Sequence, residues 1–275
     1  MMGGCSKPPK PLVVGSKISL ESSVLGEILA QHVQNKLGTP VDRRPSLTEA
    51  ISAHQALLSG DIDLYAEDAG TAYYSIFRLP ATKDLDILNS RAALEYQNLK
   101  IRWIAPLGYM ATFVVASSAE KVDASTLSRL ADSGKPAAIS YTLEFRDRID
   151  GYAAMMAGYK LNLPSPPSVV EPNLVGGQLT QKLAHIAVVS ETDPILLNGK
   201  IRLLEDNKKV FAGYPVAVVV REQTLEMNPQ LEGALKMLEG KISLETMRKL
   251  NNGVKTQGKT AAAVAAEFLQ QAGLK

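Results

Sequence analysis

The chain is predicted to fold as α/β, in two lobes that each cover a mainly parallel sheet with helices. Three observations predict this. Short apolar runs alternate with segments of helical apolar spacing from Leu12 to Ala105, and the alternation resumes from Ser125 to Val189 after an interruption. The length of 275 residues also exceeds what one core of about 100 to 150 residues fills.

The elements follow in order. Leu12 to Val14 reads as a strand ending at Gly15, and Leu20, Val24, Ile28, Leu29, Val33 and Leu37 keep helical spacing behind Ser19, a cap. Val41 to Arg43 precedes Ser46-Leu47-Thr48-Glu49, a capping-box pattern that opens a helix with Ile51, His54, Leu57 and Leu58 on one face and Gly60 as its stop. Ile62 to Tyr65 is the next strand, then a helix around Ala92 to Leu99, and strands at Ile101 to Ala105 and Thr112 to Ala116. The second series has helices at Ser125 to Ala131, Glu144 to Gly158 and Leu174 to Ala184. Its strands are Ala137 to Ser140, Ser168 to Val170 and Ile186 to Val189, with a proline-rich link at Pro164 to Pro167. Val216 to Val220 reads as a buried strand, and helices at Pro229 to Glu239, Ser243 to Asn251 and Thr260 to Gln271 are expected to return over the first lobe. In such sheets a ligand sits outside the strand carboxyl ends, which here is also the gap between lobes.

Composition narrows the function. The chain is 45% hydrophobic and 21% charged, with 30 Lys plus Arg against 28 Asp plus Glu, a net charge of +2. With no basic run, nucleic acid is not expected as a partner. No apolar stretch approaches the roughly 18 to 20 residues of a spanning helix. The segment Gly253 to Thr260 satisfies the phosphate-loop spacing, but helical spacing precedes it where a buried strand is required, so it reads as a helix connection. His32, His54 and His185 lie far apart, and His54 sits on an apolar helix face where packing outweighs catalysis. No nucleophile elbow, zinc helix or dinucleotide turn occurs, and neither a metal nor a cofactor is expected.

Three stretches carry a family resemblance. They are Val14-Gly15-Ser16-Lys17 leading to Leu25-Gly26-Glu27-Ile28, the run Ala53 to Glu67 continuing into Gly70-Thr71-Ala72-Tyr73, and Glu144-Phe145 with Arg148, Asp150 and Gly151, followed by Thr192-Asp193-Pro194 and Phe211 to Tyr214. Together they resemble the substrate-binding proteins of bacterial ABC importers for glycine betaine, carnitine and choline. The resemblance implies the type II periplasmic binding protein fold: two α/β lobes, a two-crossing hinge and the ligand in the cleft. The division it suggests is residues 1–10 as a tether, 11–107 plus 213–275 as lobe 1 and 108–212 as lobe 2. It further implies a non-enzymatic, monomeric protein that hands a small cationic or zwitterionic amine to ABC permease subunits. A bilobal enzyme and a closure-driven sensor are the rivals.

Carried over residue by residue, the resemblance assigns the ligand carboxylate to Lys17, Thr71 and Arg148. Such contacts suit an anionic group, although Lys17 and Arg148 also have Glu21 and Asp147 near in sequence as ion-pair partners, and Thr71 can cap a helix. Where the family places four aromatic rings around a quaternary ammonium, this chain has Asp68, Phe113, Ser190 and Tyr214. Only two are rings, and each well-placed ring is worth roughly 0.5 to 2 kcal/mol. Asp68 therefore points to a solute with N–H donors, such as an amino acid or a less methylated amine. Otherwise it faces solvent or pairs with Arg78 or Lys83, and Tyr65, Tyr73, Tyr109 or Tyr141 completes the box.

Cys5 is the only cysteine. Met2-Gly3-Gly4-Cys5, followed by a Pro and Lys tract, resembles the end of a lipoprotein signal. A location in the periplasm or at the extracellular face of the cytoplasmic membrane, with a lipid on Cys5, is the expectation, against a chance cysteine in a cloning remnant.

Overall fold

A computed structural model describes residues 11–48, 50–163 and 166–275. The expectations for the tether at 1–10, with Cys5, and for Glu49, Pro164 and Ser165 lie outside the described residues. The first series runs β1 (Leu12–Lys17), α1 (Leu20–Leu37), β2 (Val41–Leu47), α2 (Ala50–Ser59), β3 (Leu64–Asp68), a π-helical turn (Thr71–Ile76), α3 (Leu85–Asn98) and β4 (Ile101–Ile104). A short β5 (Met110–Ala111) leads into β6 (Phe113–Ser118), α4 (Leu127–Asp132), β7 (Ile139–Tyr141), α5 (Leu143–Asp147) and α6 (Tyr152–Tyr159). Then come β8 (Ser168–Val169), a 3-10 turn (Pro172–Leu174), α7 (Gly177–Thr180), β9 (Ile186–Ser190), another 3-10 turn (Pro194–Leu197) and β10 (Ile201–Leu204). β11 (Tyr214–Arg221) returns to the first sheet, followed by α8 (Glu222–Met227), α9 (Leu231–Lys236), α10 (Leu244–Lys255) and α11 (Ala261–Gln271).

The strands form two sheets, ordered β2-β1-β3-β11-β4 with β5 on β11, and β10-β6-β9-β7-β8. Both are mixed rather than mainly parallel. β1 runs parallel to β2 and β3, whereas β11 is antiparallel to β3, β4 and β5. β6 is likewise antiparallel to β9 and β10, while β7 is parallel to β8 and β9. The reversed strands are those reached directly from the other sheet, so they enter from the cleft end where their neighbours terminate.

Each sheet is packed on both faces. On one face of the first, α1, α9, α10 and α11 bury Val24, Ile28, Leu235, Met247 and Phe268 against Val14, Val218 and Val220. The other face packs Leu57, Leu88 and Tyr96 on Tyr65 and Val219. The second sheet has its own pair of clusters, around Phe145, Met155 and Ile186, and around Val175, Leu179 and Val189. β11 is apolar on both faces because it is covered on both, as a central strand must be.

Several local readings change. Ser19 does cap α1, accepting from Ser22 N, but Ser46 is not a cap: it lies in β2 with a φ of 64°. The strand expected at Ile62 to Tyr65 begins at Leu64, and the edge strand β10 and the short α8 carry too little periodicity to be read. The helix expected over Leu174 to Ala184 contracts to a 3-10 turn and one turn of α7. The helix expected over Glu144 to Gly158 is broken: Arg148 is extended at φ −72°, ψ 138°, and a Cβ on Gly151 would lie 2.0 Å from Phe145 O. At the phosphate-loop pattern, Gly253 lies inside α10, Thr260 caps α11 and Lys259 pairs with Glu267. His54 packs edge-on to Phe77 and Tyr96.

Candidate functional site

The cleft between the sheets encloses a cavity of about 240 Å3 whose lining includes Lys17, Asp68, Thr71, Phe113, Arg148, Ser190 and Tyr214. Strand ends explain why they meet. Lys17, Asp68 and Ser190 close β1, β3 and β9, while Phe113 and Tyr214 open β6 and β11. Phe113 stands opposite Ser190 in the β6–β9 ladder. Arg148 is delivered by the break after α5, and Thr71 by the π-helical turn that follows β3.

Lys17 pairs with Glu67, not Glu21. Parallel pairing of Val14 with Leu64 carries Lys17 to the level of Glu67 three residues on, and Lys17 Nζ donates to Glu67 Oε1 at 2.5 Å. Burial pushes the Glu67 carboxyl up to about 7 against the pull of Lys17. Burial also opposes the Lys17 charge, but Glu67, Asp68 and Glu144 outweigh it and hold the ammonium above its ordinary range.

Arg148 is tied to Asp150 rather than Asp147, which pairs with Arg146. Its Nε and Nη2 donate to the two Asp150 oxygens at 2.9 and 2.7 Å, a bidentate contact. Tyr214 OH donates to Asp150 Oδ2 at 2.7 Å. The guanidinium carbon lies 5.0 Å from the Phe113 ring centre, 5.4 Å from that of Tyr214 and 5.7 Å from that of Tyr74, inside cation–π range. Although Arg148 is buried, the bonds to Asp150 keep its charge firmly held. The remaining edge meets Thr71 and Glu144: Nη1 donates to Thr71 Oγ1 at 3.2 Å and to Glu144 Oε1 at 3.4 Å.

Asp68 Oδ1 accepts from Thr71 N at 2.7 Å and pairs with neither Arg78 nor Lys83 among the described ion pairs. Thr71 Oγ1 reaches across the cleft to donate to Glu144 Oε1 at 2.8 Å. Further along, Glu21 accepts from Tyr109 OH at 2.6 Å and from Thr192 Oγ1, which also bonds Ser190. Burial raises the Glu21 carboxyl against these bonds. None of Tyr65, Tyr73, Tyr109 and Tyr141 lines the cavity. Tyr74 joins Phe113 and Tyr214 around the Arg148 guanidinium but is buried in the first sheet's outer core and does not line the cavity either. Glu21, Glu67, Glu144 and Asp150 complete the charge pattern; Glu67, Glu144 and Asp150 lie in the resemblance stretches but carried no role there.

The arrangement is a cavity whose donors and carboxylates come from both sheets. The family model for the substrate-binding domain of ABC-type glycine betaine transport systems, OpuAC, matches residues 10–271. The chain belongs to this family. An OpuAC-family chain is expected to have relatives among transport binding proteins, and it does. It is 30% identical over 269 residues to the ergothioneine transport permease/ergothioneine binding protein EgtU of Helicobacter pylori, covering 96% of this chain and 48% of that protein, so it spans about half of that relative's length. It is 27% identical to the carnitine transport binding protein OpuCC of Listeria monocytogenes, over 98% of this chain and 89% of the relative. A solved glycine betaine/carnitine/choline ABC transporter structure superposes with a TM-score of 0.79 at 21% identity, covering 96% of this chain and 99% of that one. The fold of this OpuAC-family chain is that of the type II periplasmic binding proteins.

Proposed function

We propose that this OpuAC-family chain is the extracytoplasmic solute-binding component of an ABC importer, holding a small cationic or zwitterionic amine and releasing it unchanged to permease subunits. The observation that carries this reading is that Arg148 meets Thr71 beside Phe113 and Tyr214 in the cavity that Lys17 also lines. Lys17, Thr71 and Arg148 serve an anionic end of the solute; Phe113, Tyr214, Asp68 and Ser190 line its cationic end. Residues 11–107 with 213–275 form one lobe and 108–212 the other, the protein acts as a monomer, and Cys5 carries a lipid that keeps it at the outer face of the cytoplasmic membrane. The relatives named above support transport rather than catalysis.

Hinge motion at the two crossings follows from their construction. Gly108 has a φ of 119°, and its missing Cβ admits the backbone of Gly240, which would lie 2.8 Å away. Beside it, Tyr214 pairs with Ala111 where the second crossing enters β11. Bonds such as Thr71 to Glu144 and Arg248 Nη2 to Glu191 O at 2.7 Å join the two sides of the cleft.

A thermal-shift series over betaines, choline, carnitine and amino acids tests the reading, because a ligand at about 100 times its Kd stabilises the native state by roughly 2.7 kcal/mol. At least one amine shifts the transition and is recovered intact by mass spectrometry. A flat response to the whole series, or a chemically altered solute, removes it.

A further inference from the structure

The three donors assigned to a solute carboxylate are already engaged by carboxylates of the chain itself. Lys17 gives one of its three N–H donors to Glu67, and the Nε–Nη2 edge of Arg148 goes to Asp150. Thr71 Oγ1 and Arg148 Nη1 converge on one oxygen, Glu144 Oε1, at 2.8 and 3.4 Å. Glu144 also adds to the field that holds Lys17 charged. One carboxylate of the chain thus takes the Thr71 hydroxyl and the free Arg148 edge together, as the carboxylate of a bound zwitterion would.

The three acids differ in how free they are to leave. The Glu67 side chain has no exposure and that of Asp150 has 16%, whereas the Glu144 side chain is 43% exposed. Glu144 stands one residue into α5, behind the cap Thr142, and its position four residues before Arg148 lets its side chain swing from the donors without unfolding the helix. The carboxylates lining the cavity, Glu21, Glu67, Asp68, Glu144 and Asp193, outnumber the cations Lys17, Arg148 and Lys255. A solute that brings one more carboxylate must displace Glu144 or lie against it, and like charges this close repel. A cation without a carboxylate meets no such competitor and gains Glu144 as a neighbour.

We infer that Glu144 is a specificity-determining residue, an internal stand-in for the ligand carboxylate that makes the cleft favour small organic cations lacking a carboxylate over zwitterions. This rests on the solute-binding reading above. On it, the anionic subsite is self-occupied, and affinity for a zwitterion is reduced by the work of moving Glu144 aside.

Titration calorimetry of wild type, Glu144→Gln and Glu144→Ala with choline and with glycine betaine tests it. Glycine betaine binding tightens about 10 to 100-fold in both variants, the span of one charge-assisted hydrogen bond released to the solute. Choline, which has no carboxylate, binds the variants no better than wild type. A residue that merely supports the fold would weaken both solutes together, and an unchanged melting temperature with unchanged glycine betaine affinity overturns the inference. Choline binding that survives while glycine betaine fails to gain leaves the transport reading standing and removes Glu144 from this role. Silence of all three proteins toward both solutes overturns the inference and, if other amines are silent too, the transport reading with it.

Discussion

Lys17 and Arg148 are both cations of one cleft matched by an acid of the chain, yet they are built in different ways. Lys17 meets Glu67 because β1 and β3 are neighbours in parallel register, so the pair belongs to one sheet. Its side chain keeps 19% exposure toward the cleft. The guanidinium of Arg148 has rings from the π-helical turn, β6 and β11 around it, acids from both sides of a helix break, and 4% exposure. The Lys17 pair is made by register within one sheet, whereas the rings around Arg148 come from both sheets. The cleft therefore has one cation paired within a single sheet and one whose surroundings come from both.

The largest effect should come from removing the acid that Arg148 cannot replace. Asp150→Ala leaves a buried guanidinium without its bidentate partner, and a loss of about 3 to 5 kcal/mol is expected, or roughly 10 °C in melting temperature. A loss under about 1 kcal/mol in denaturant titration means that Glu144 suffices and the contrast with Lys17 collapses.

The Lys17 side is sharpened by pH. With its carboxyl raised to about 7 from a reference of 4.5, Glu67 binds its proton more tightly in the native chain than in the unfolded one. Its contribution favours folding below about pH 4.5 and is lost as pH rises from there through about 7. Glu67→Gln should lack that decline, so the stability difference between variant and wild type grows in the variant's favour between pH 5 and pH 8. A difference independent of pH sinks the assignment.

Gly70 separates the two regions sterically. Its backbone is ordinary helical, but a Cβ there would lie 2.4 Å from Cδ2 of the Tyr214 ring. Gly70→Ala should displace that ring and cost about 1 to 3 kcal/mol, while the pH response of Glu67 stays as in wild type. If both change, the regions are coupled more tightly than their construction implies.

The smallest effect is expected from Tyr214→Phe, which keeps the ring and deletes the hydroxyl that donates to Asp150. About 1 kcal/mol should be lost, and a loss as large as that of Asp150→Ala would show that the hydroxyl, not the carboxylate, organises Arg148.

Much of the site was legible before any coordinates. All seven side chains singled out line one cleft, because five of them fall at strand ends, where runs of apolar residues stop and the resemblance anchors each position. The partners were less legible. Glu21 and Asp147 are near Lys17 and Arg148 in sequence, but the acids that bind them are Glu67, Asp150 and Glu144. Tyr74, the third ring around Arg148, was not named although Tyr73 was, since inside a π-helical turn the face a side chain takes does not follow the spacing of an α-helix.

Local chemistry was enough to determine the alternation of strands and helices, the cap at Ser19, the buried character of β11 and the rejection of the Gly253 to Thr260 pattern. Each depends on residues a few positions apart, and periodicity and capping act at that range. Only the tertiary structure decided that both sheets are mixed, that the helix after Glu144 breaks at Arg148, and that Glu144 meets Thr71 across the cleft. Those outcomes depend on pairings between residues tens of positions apart, where burial, strand direction and charge are settled by the assembled neighbours and leave no local periodic trace.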